Sequence, residues 1–305
     1  MYRSVFLPLD GSRFSEQALP LALSLVKRDG ARLEVVHVHN TEPDDEYVPV
    51  TPFHYEGLEQ SEREWNGHGR ERDSAYLFNC VQADDIDVNG SALCKVLEGD
   101  VIAALEKEIA ETDPDLIIMA THGRGGVSRA WLGSTADTLV RDVHKPIILI
   151  RAKEEGEPVE LRTDHLLLPL DGSRMAEAVL KHALELADPA RSRITLLRVV
   201  QPAYVGPEFT INLQSDALLE ERVEAAHEYL SELAAELSAE GHAVNTDVVV
   251  GSSAAGAILN YTSAHNVDII CMATHGRTGV RRLLLGSVAD KVMRGASVPI
   301  LLYHP

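Results

Sequence analysis

The sequence predicts two tandem α/β domains, each a parallel β-sheet covered by helices on both faces. Three observations carry that expectation. First, the chain repeats itself in order and spacing. Leu7-Pro8-Leu9-Asp10-Gly11-Ser12-Arg13 recurs letter for letter as Leu168-Pro169-Leu170-Asp171-Gly172-Ser173-Arg174. Ala120-Thr121-His122-Gly123-Arg124 recurs as Ala273-Thr274-His275-Gly276-Arg277, and Leu132-Gly133-Ser134 as Leu285-Gly286-Ser287. Second, short continuous apolar runs alternate with segments of helical period. Third, a charged stretch from Arg151 to Asp164, holding Glu154, Glu155, Gly156, Glu157 and Pro158, separates the copies and reads as a linker.

The elements follow in order. Ser4–Leu9 reads as a buried strand. Ser15–Val26 reads as a helix, with Ala18, Leu19, Ala22, Leu25 and Val26 on one face. Strands are expected over Leu33–Val38 and within Ile86–Val96. A helix over Val101–Ile109, a strand over Leu116–Met119, a helix over Ser134–Val140 and a closing strand over Ile147–Ile150 complete the first copy. The second copy predicts Leu166–Pro169, Ala176–Ala187, Ile194–Val199, a long helix about Asp216–Ser238, Val244–Val250, Ala254–His265, Ile269–Met272, Ser287–Met293 and Ile300–Tyr303. Strands that are apolar throughout belong to sheets buried on both faces, and such sheets are parallel. Asn40–Asn79, with Pro43, Pro49, Pro52, Gly57, Gly67 and Gly69, reads as a long loop followed by a broken helix, longer than its counterpart Gln201–Ser238.

Composition narrows the function. The net charge is −19, with 45% hydrophobic and 25% charged residues. That balance argues against nucleic acid and anionic membrane as partners, since both require a basic face. Any anion must be held by local features. The three cysteines, Cys80, Cys94 and Cys271, form no CxxC and read as reduced thiols. No signal peptide and no apolar run of spanning length is recognised, so a cytoplasmic protein is expected.

The sharpest local feature is a glycine loop. Gly123 is followed after nine residues by Gly133-Ser134, and Gly276 after nine by Gly286-Ser287. In each copy the loop joins an apolar strand to a helix. Glycine permits close backbone approach, and the N–H groups and dipole of a helix start attract anions. Ser134 and Ser287 suit a helix N-cap. Arg124 and Arg277, with Arg129, Arg281 and Arg282, supply local positive charge. The loop is neither a P-loop nor a dinucleotide fingerprint, because Gly-Lys-Ser/Thr and G-x-G-x-x-G are both absent from it. Glycines that merely shape a tight strand-to-helix loop are the competing reading. Asp10, in an Asp-Gly-Ser junction, could equally cap the following helix.

With these motifs, the chain resembles a tandem member of the universal stress protein family over nearly its full length. ATP-binding members of that family carry a G-x2-G-x9-G-[ST] loop and an aspartate after the first strand. Here Ala120 and Ala273 stand at the first glycine, while the later landmarks are intact in both copies. The resemblance implies two Rossmann-like domains of the adenine nucleotide α-hydrolase type, over residues 1–152 and 163–305, each with five parallel strands. It implies ATP, alone or with Mg²⁺, and a nucleotide-dependent role in stress response or signalling. It sets Asp10 and Asp171, preceded by Pro8 and Pro169, by the ribose and adenine, with backbone groups of Val38 and Val199 at the adenine edge. It sets Ala120, Gly123, Arg124, Gly133, Ser134 and Thr135 around the phosphates, and Ala273, Gly276, Arg277, Gly286, Ser287 and Val288 around those of the second copy.

Other candidates are weaker. His122 and His275 fit loop histidines bonded to backbone better than catalysts. His37 and His39 share a strand face, but Arg198 and Val200 replace them in the second copy, so no repeated metal site is expected. Asp84, Asp85 and Asp87 read as a solvated turn. The serines adjoin no identifiable His–Asp pair. Two further classes stay open: a slow ATP-hydrolysing or phosphate-transferring enzyme, and an interaction scaffold with empty sites. Finally, Ile147–Ile150 and Ile300–Tyr303, each last in its copy, are expected at sheet edges that pair in an intramolecular pseudo-dimer or between two chains.

Overall fold

The computed structural model describes residues 1–39, 69–83, 92–121, 132–152, 162–202, 213–274 and 285–305. They form two compact units, Met1–Leu161 and Arg162–Pro305.

In the first unit the elements run β1 (Ser4–Pro8), α1 (Arg13–Glu16), α2 (Leu19–Asp29), β2 (Arg32–His39), α3 (Gly69–Ala83), β3 (Ala92–Glu98), α4 (Val101–Thr112), β4 (Leu116–Ala120), α5 (Ser134–Asp142) and β5 (Ile147–Ile150). The strand order is β3-β2-β1-β4-β5, every pair parallel. Both α3 and α4 pack on β2 and β3. Two helices cannot occupy one face of the same strands, so the sheet is covered on both sides. Phe6, Leu7, Val35, Ile117 and Ile118 are buried inside it.

The second unit repeats the plan: β6 (His165–Pro169), α6 (Arg174–Glu177), α7 (Leu180–Leu186), β7 (Arg193–Val200), α8 (Leu213–Ala239), β8 (Ala243–Val250), α9 (Ala254–Ala264), β9 (Ile269–Ala273), α10 (Ser287–Gly295) and β10 (Ile300–Tyr303). Its strands run β8-β7-β6-β9-β10, again all parallel.

Three expectations need correction. The helix expected over Ser15–Val26 is two helices, α1 and α2, parted at Gln17-Ala18, and Ala176–Ala187 is likewise parted into α6 and α7. In the first copy the restart has a cause: Pro20 lies in the opening turn of α2, where its missing N–H has no partner to lose. The third strand lies over Ala92–Glu98, further along the chain than Ile86–Val96, and Ile86 falls outside the described residues. The helix before it, α3, is continuous over Gly69–Ala83, whereas the long loop expected from Asn40 lies, through residue 68, outside the described residues.

The amino end of each sheet is tied by one aspartate. Asp115 Oδ2 accepts the N–H groups of Arg3 at 2.8 Å and Ser4 at 3.2 Å, and Asp268 Oδ2 accepts that of His165 at 2.8 Å. Among the described residues no helix is long and apolar enough to cross a membrane.

Candidate functional site at the carboxyl ends of the strands

β1 runs beside β2 on one side and β4 on the other, with Pro8 opposite Val36 and Phe6 opposite Ile117. The chain leaves β1 toward β2 and returns later to β4. The crevice above the carboxyl ends of β1 and β4 is therefore the switch point at which open parallel sheets bind ligands. β6 and β9 make the same switch in the second unit.

The turn after β1 is built by short-range hydrogen bonds. Leu9 N–H donates to the Val36 carbonyl at 2.8 Å, carrying the ladder one residue beyond the strand. Gly11 then takes φ +79°, a left-handed conformation that suits glycine. Asp10 Oδ1 accepts the Ser12 N–H at 3.0 Å and its hydroxyl at 2.6 Å, and Ser12 Oγ accepts the Ser15 N–H at 3.2 Å. The helix cap is therefore Ser12, and Asp10 holds Ser12 in place; this corrects the reading of Asp10 as the cap. The second turn is a close copy. Gly172 has φ +78°, Asp171 Oδ1 accepts from Ser173 N–H at 3.0 Å and Oγ at 2.6 Å, and Ser173 Oγ accepts the Ala176 N–H at 3.1 Å.

Hydrogen bonds tie the end of β4 to the start of α5. Thr121 N–H donates to the Ile150 carbonyl at 2.8 Å, and Gly133 N–H donates to the Thr121 carbonyl at 2.7 Å. The same bonds in the second unit join Thr274 to Tyr303 at 2.9 Å and Gly286 to Thr274 at 2.8 Å. The N-caps of α5 and α10 are Gly133 and Gly286, neither with a capping side chain. Ser134 and Ser287, expected as caps, are instead the first helical residues and are exposed. A Cβ on Gly133 would stand 3.2 Å from the Thr121 carbonyl oxygen, so this tie already calls for glycine there. Gly133→Ala should push that carbonyl away by a few tenths of an ångström and destabilise the chain by roughly 1 kcal/mol. Urea unfolding checks this, and an alanine variant as stable as the parent would refute the tight fit.

Of the other residues assigned by sequence, Pro8, Asp10, Val38, Pro169, Asp171 and Val199 are half-buried at the carboxyl ends of β1, β2, β6 and β7. Ala120 and Ala273 are buried as the last residues of β4 and β9, and Thr135 and Val288 are half-buried in the first turns of α5 and α10. Gly123, Arg124, Gly276 and Arg277 lie outside the described residues, as do His122, His275, Arg129, Arg281, Arg282, Asp84, Asp85 and Asp87.

A polar cluster missed by sequence reasoning borders the Asp10 turn. Tyr76 OH, from α3, donates to Glu16 Oε1 at 3.0 Å, and Tyr229 OH, from α8, donates to Glu177 Oε1 at 2.8 Å. Burial pushes the Glu16 carboxyl up to about 7, against the Tyr76 hydrogen bond and aided by repulsion from Asp10. His39 Nδ1 lies 2.6 Å from Oδ2 of the buried Asp73, and His37 Nε2 lies 3.8 Å from Asp73 Oδ1. His37 and His39 thus face a carboxylate 34 or more positions along the chain, and no group of three metal-ligating side chains occurs among the described residues. The signal was present in the repeat: Glu16 and Tyr76 recur as Glu177 and Tyr229.

A doubly covered parallel sheet whose switch point carries an aspartate turn and a helix start without a capping side chain defines a Rossmann-like α/β protein. Comparison with known proteins gives the family. The model of the universal stress protein family matches residues 1–151 and again 162–304, and the chain belongs to that family. A universal stress protein of Methanocaldococcus jannaschii is 32% identical over 140 residues, 45% of this chain and 79% of the relative. One of Synechocystis is 23% identical over 317 residues, covering 99% of this chain and all of the relative. The crystal structure of a universal stress protein from Archaeoglobus fulgidus shares the fold, with a TM-score of 0.65 and 20% identity over 99% of this chain and 98% of that one.

Proposed function

We propose that each half binds an adenine nucleotide, ATP alone or with Mg²⁺, and that the chain is a nucleotide-dependent stress-response or signalling module. The observation that carries this reading is the repeated helix start. In both halves glycine occupies the N-cap at the switch point, and no side chain makes a capping hydrogen bond to the first turn. A helix dipole and its leading N–H groups favour phosphate there. That local attraction matters in a chain of net charge −19. In this reading Gly123, Arg124, Gly133, Ser134 and Thr135 hold the phosphates of one nucleotide and Gly276, Arg277, Gly286, Ser287 and Val288 those of the other. Asp10, Val38, Asp171 and Val199 meet ribose and base.

Calorimetric titration of nucleotide-free protein should give two ATP equivalents at micromolar affinity, about −8 kcal/mol each. No heat and no thermal shift at millimolar ATP would overturn the proposal. A hydrolytic role has less support, because the Asp73–His39 pair stands at the end of β2, on the base side of the proposed site.

The apolar closing strands of the two halves are proposed, on sequence alone, to pair within one chain. Leu149→Cys with Leu302→Cys, in an otherwise cysteine-free variant, should then crosslink intramolecularly at high dilution. Crosslinks only between chains, or none, would refute it.

A further inference from the structure

The two halves support their aspartate turns from the same place with different chemistry. In the first half His37, in β2, lies with Nδ1 2.8 Å from the Leu9 carbonyl, the residue before Asp10. In the second, Arg198 of β7 donates from Nη1 to the Leu170 carbonyl at 3.5 Å, the residue before Asp171. The His37 ring meets Tyr76 edge-on at 5.9 Å, and the Arg198 guanidinium sits over the Tyr229 ring at 5.7 Å. Each tyrosine in turn donates to the glutamate of the short helix after the turn, Glu16 or Glu177. The scaffold is conserved between the copies while the charge is not. His37, His39 and Asp73 in the first half correspond to Arg198, Val200 and Ala226 in the second.

We propose that His37 and Arg198 are positioning residues for the Asp10 and Asp171 turns, and that their exchange makes nucleotide binding in the first half proton-responsive while the second half is not. The inference rests on the nucleotide-site reading above. Arginine carries its charge at every physiological pH, whereas histidine is the side chain whose charge changes in that range.

The groups around His37 act in one direction. Asp10 comes from the β1–α1 turn, Glu16 from α1, His39 from β2, and Asp73, Tyr76 and Cys80 from α3. Glu98 of β3 stands opposite His39 in the strand register, and β4, against which α1 packs, brings no ionisable side chain. Proton uptake by His37, beside the Asp10 turn, adds positive charge on the ribose side of a site proposed to hold a polyanion. Proton uptake by Glu16, whose carboxyl burial holds near 7, removes a negative one. Both favour a bound phosphate as pH falls.

Gly276→Glu isolates the first site and Gly123→Glu the second, and ATP titrations at pH 6 and pH 8 compare them. Protonation of ATP itself is common to both and cancels in the comparison. The weakening between pH 6 and pH 8 should be about tenfold greater at the first site, the size expected for one charge change at several ångströms. Repeating the titration in buffers of different ionisation enthalpy should show extra proton uptake at the first site, with no change to the cluster. His37→Arg with Asp73→Ala should keep ATP binding and flatten the pH profile toward that of the second site, leaving only the Glu16 share. Glu16→Gln should flatten it in part. Equal pH dependence at both sites overturns the inference and leaves ATP binding standing. Absence of ATP binding at either site and at both pH values overturns the nucleotide reading, and the inference falls with it.

Discussion

Gly123→Glu should leave one ATP equivalent per chain where the parent binds two, and Gly276→Glu should do the same. The expected loss at the altered site is at least a hundredfold in affinity. A glutamate in that loop would bring a carboxylate to where the triphosphate is proposed to lie, and like charges in contact at a partly desolvated site repel by several kcal/mol. It would also fill space that a glycine leaves for backbone approach. Neither position takes part in the Gly133–Thr121 and Gly286–Thr274 hydrogen bonds that join strand to helix, so the sheet and its flanking helices should persist. Calorimetry gives the stoichiometry and circular dichroism the integrity of the fold. Two full equivalents in both single variants would show that the phosphates lie elsewhere.

Glu16→Gln should stabilise the chain at pH 8 by about 2 kcal/mol and leave its stability at pH 5 nearly unchanged. The sign follows from the direction of the shift. Burial lifts the folded-state carboxyl from 4.5 to about 7, so the folded chain holds this proton to a higher pH than the unfolded chain does. The stabilisation linked to it is complete below the unfolded value and is lost as pH rises through about 7. Glutamine stays neutral throughout and can still accept the Tyr76 hydroxyl, so it removes the charge without removing the hydrogen bond. Thermal unfolding midpoints of variant and parent should coincide near pH 5 and separate toward pH 8. A variant no more stable than its parent at pH 8 would show that Glu16 is not strained by its own charge.

Most of the sheet was legible in the sequence because its strands are buried on both faces. Leu116–Met119 and Ile147–Ile150 are apolar without interruption, and their shortness and β-branched content favour strands covered on both faces. The repeat then fixed the order of elements twice over. Other details depended on which of two adjacent polar residues takes a given bond. Asp10 and Ser12 are both good caps, and only the geometry of Gly11 turns Asp10 back onto Ser12. Gly133 takes the cap position, where a Cβ would stand 3.2 Å from the Thr121 carbonyl oxygen, and Ser134 begins the helix. The Asp73–His39 and Glu16–Tyr76 contacts bridge 34 and 60 positions, across a segment whose length and composition carry no periodic signal. Matching polar residues between the copies, as well as glycines, would have exposed the Glu–Tyr pair.

The aspartate ties at the amino ends of the strands bear on how the chain is made. Asp115 joins the backbone of Arg3 and Ser4 across 112 and 111 positions, and Asp268 reaches His165 across 103. Contacts this far apart close late, because the loop entropy is lost before the central strands can pair. During synthesis, β1 must wait for more than a hundred residues before β4 emerges beside it. Its apolar side chains, Val5, Phe6 and Leu7, stay uncovered on that side for the interval. Each half carries its own tie, so the first can shut around β1 while the second is still being translated, and the chain repeats its most aggregation-exposed interval for β6.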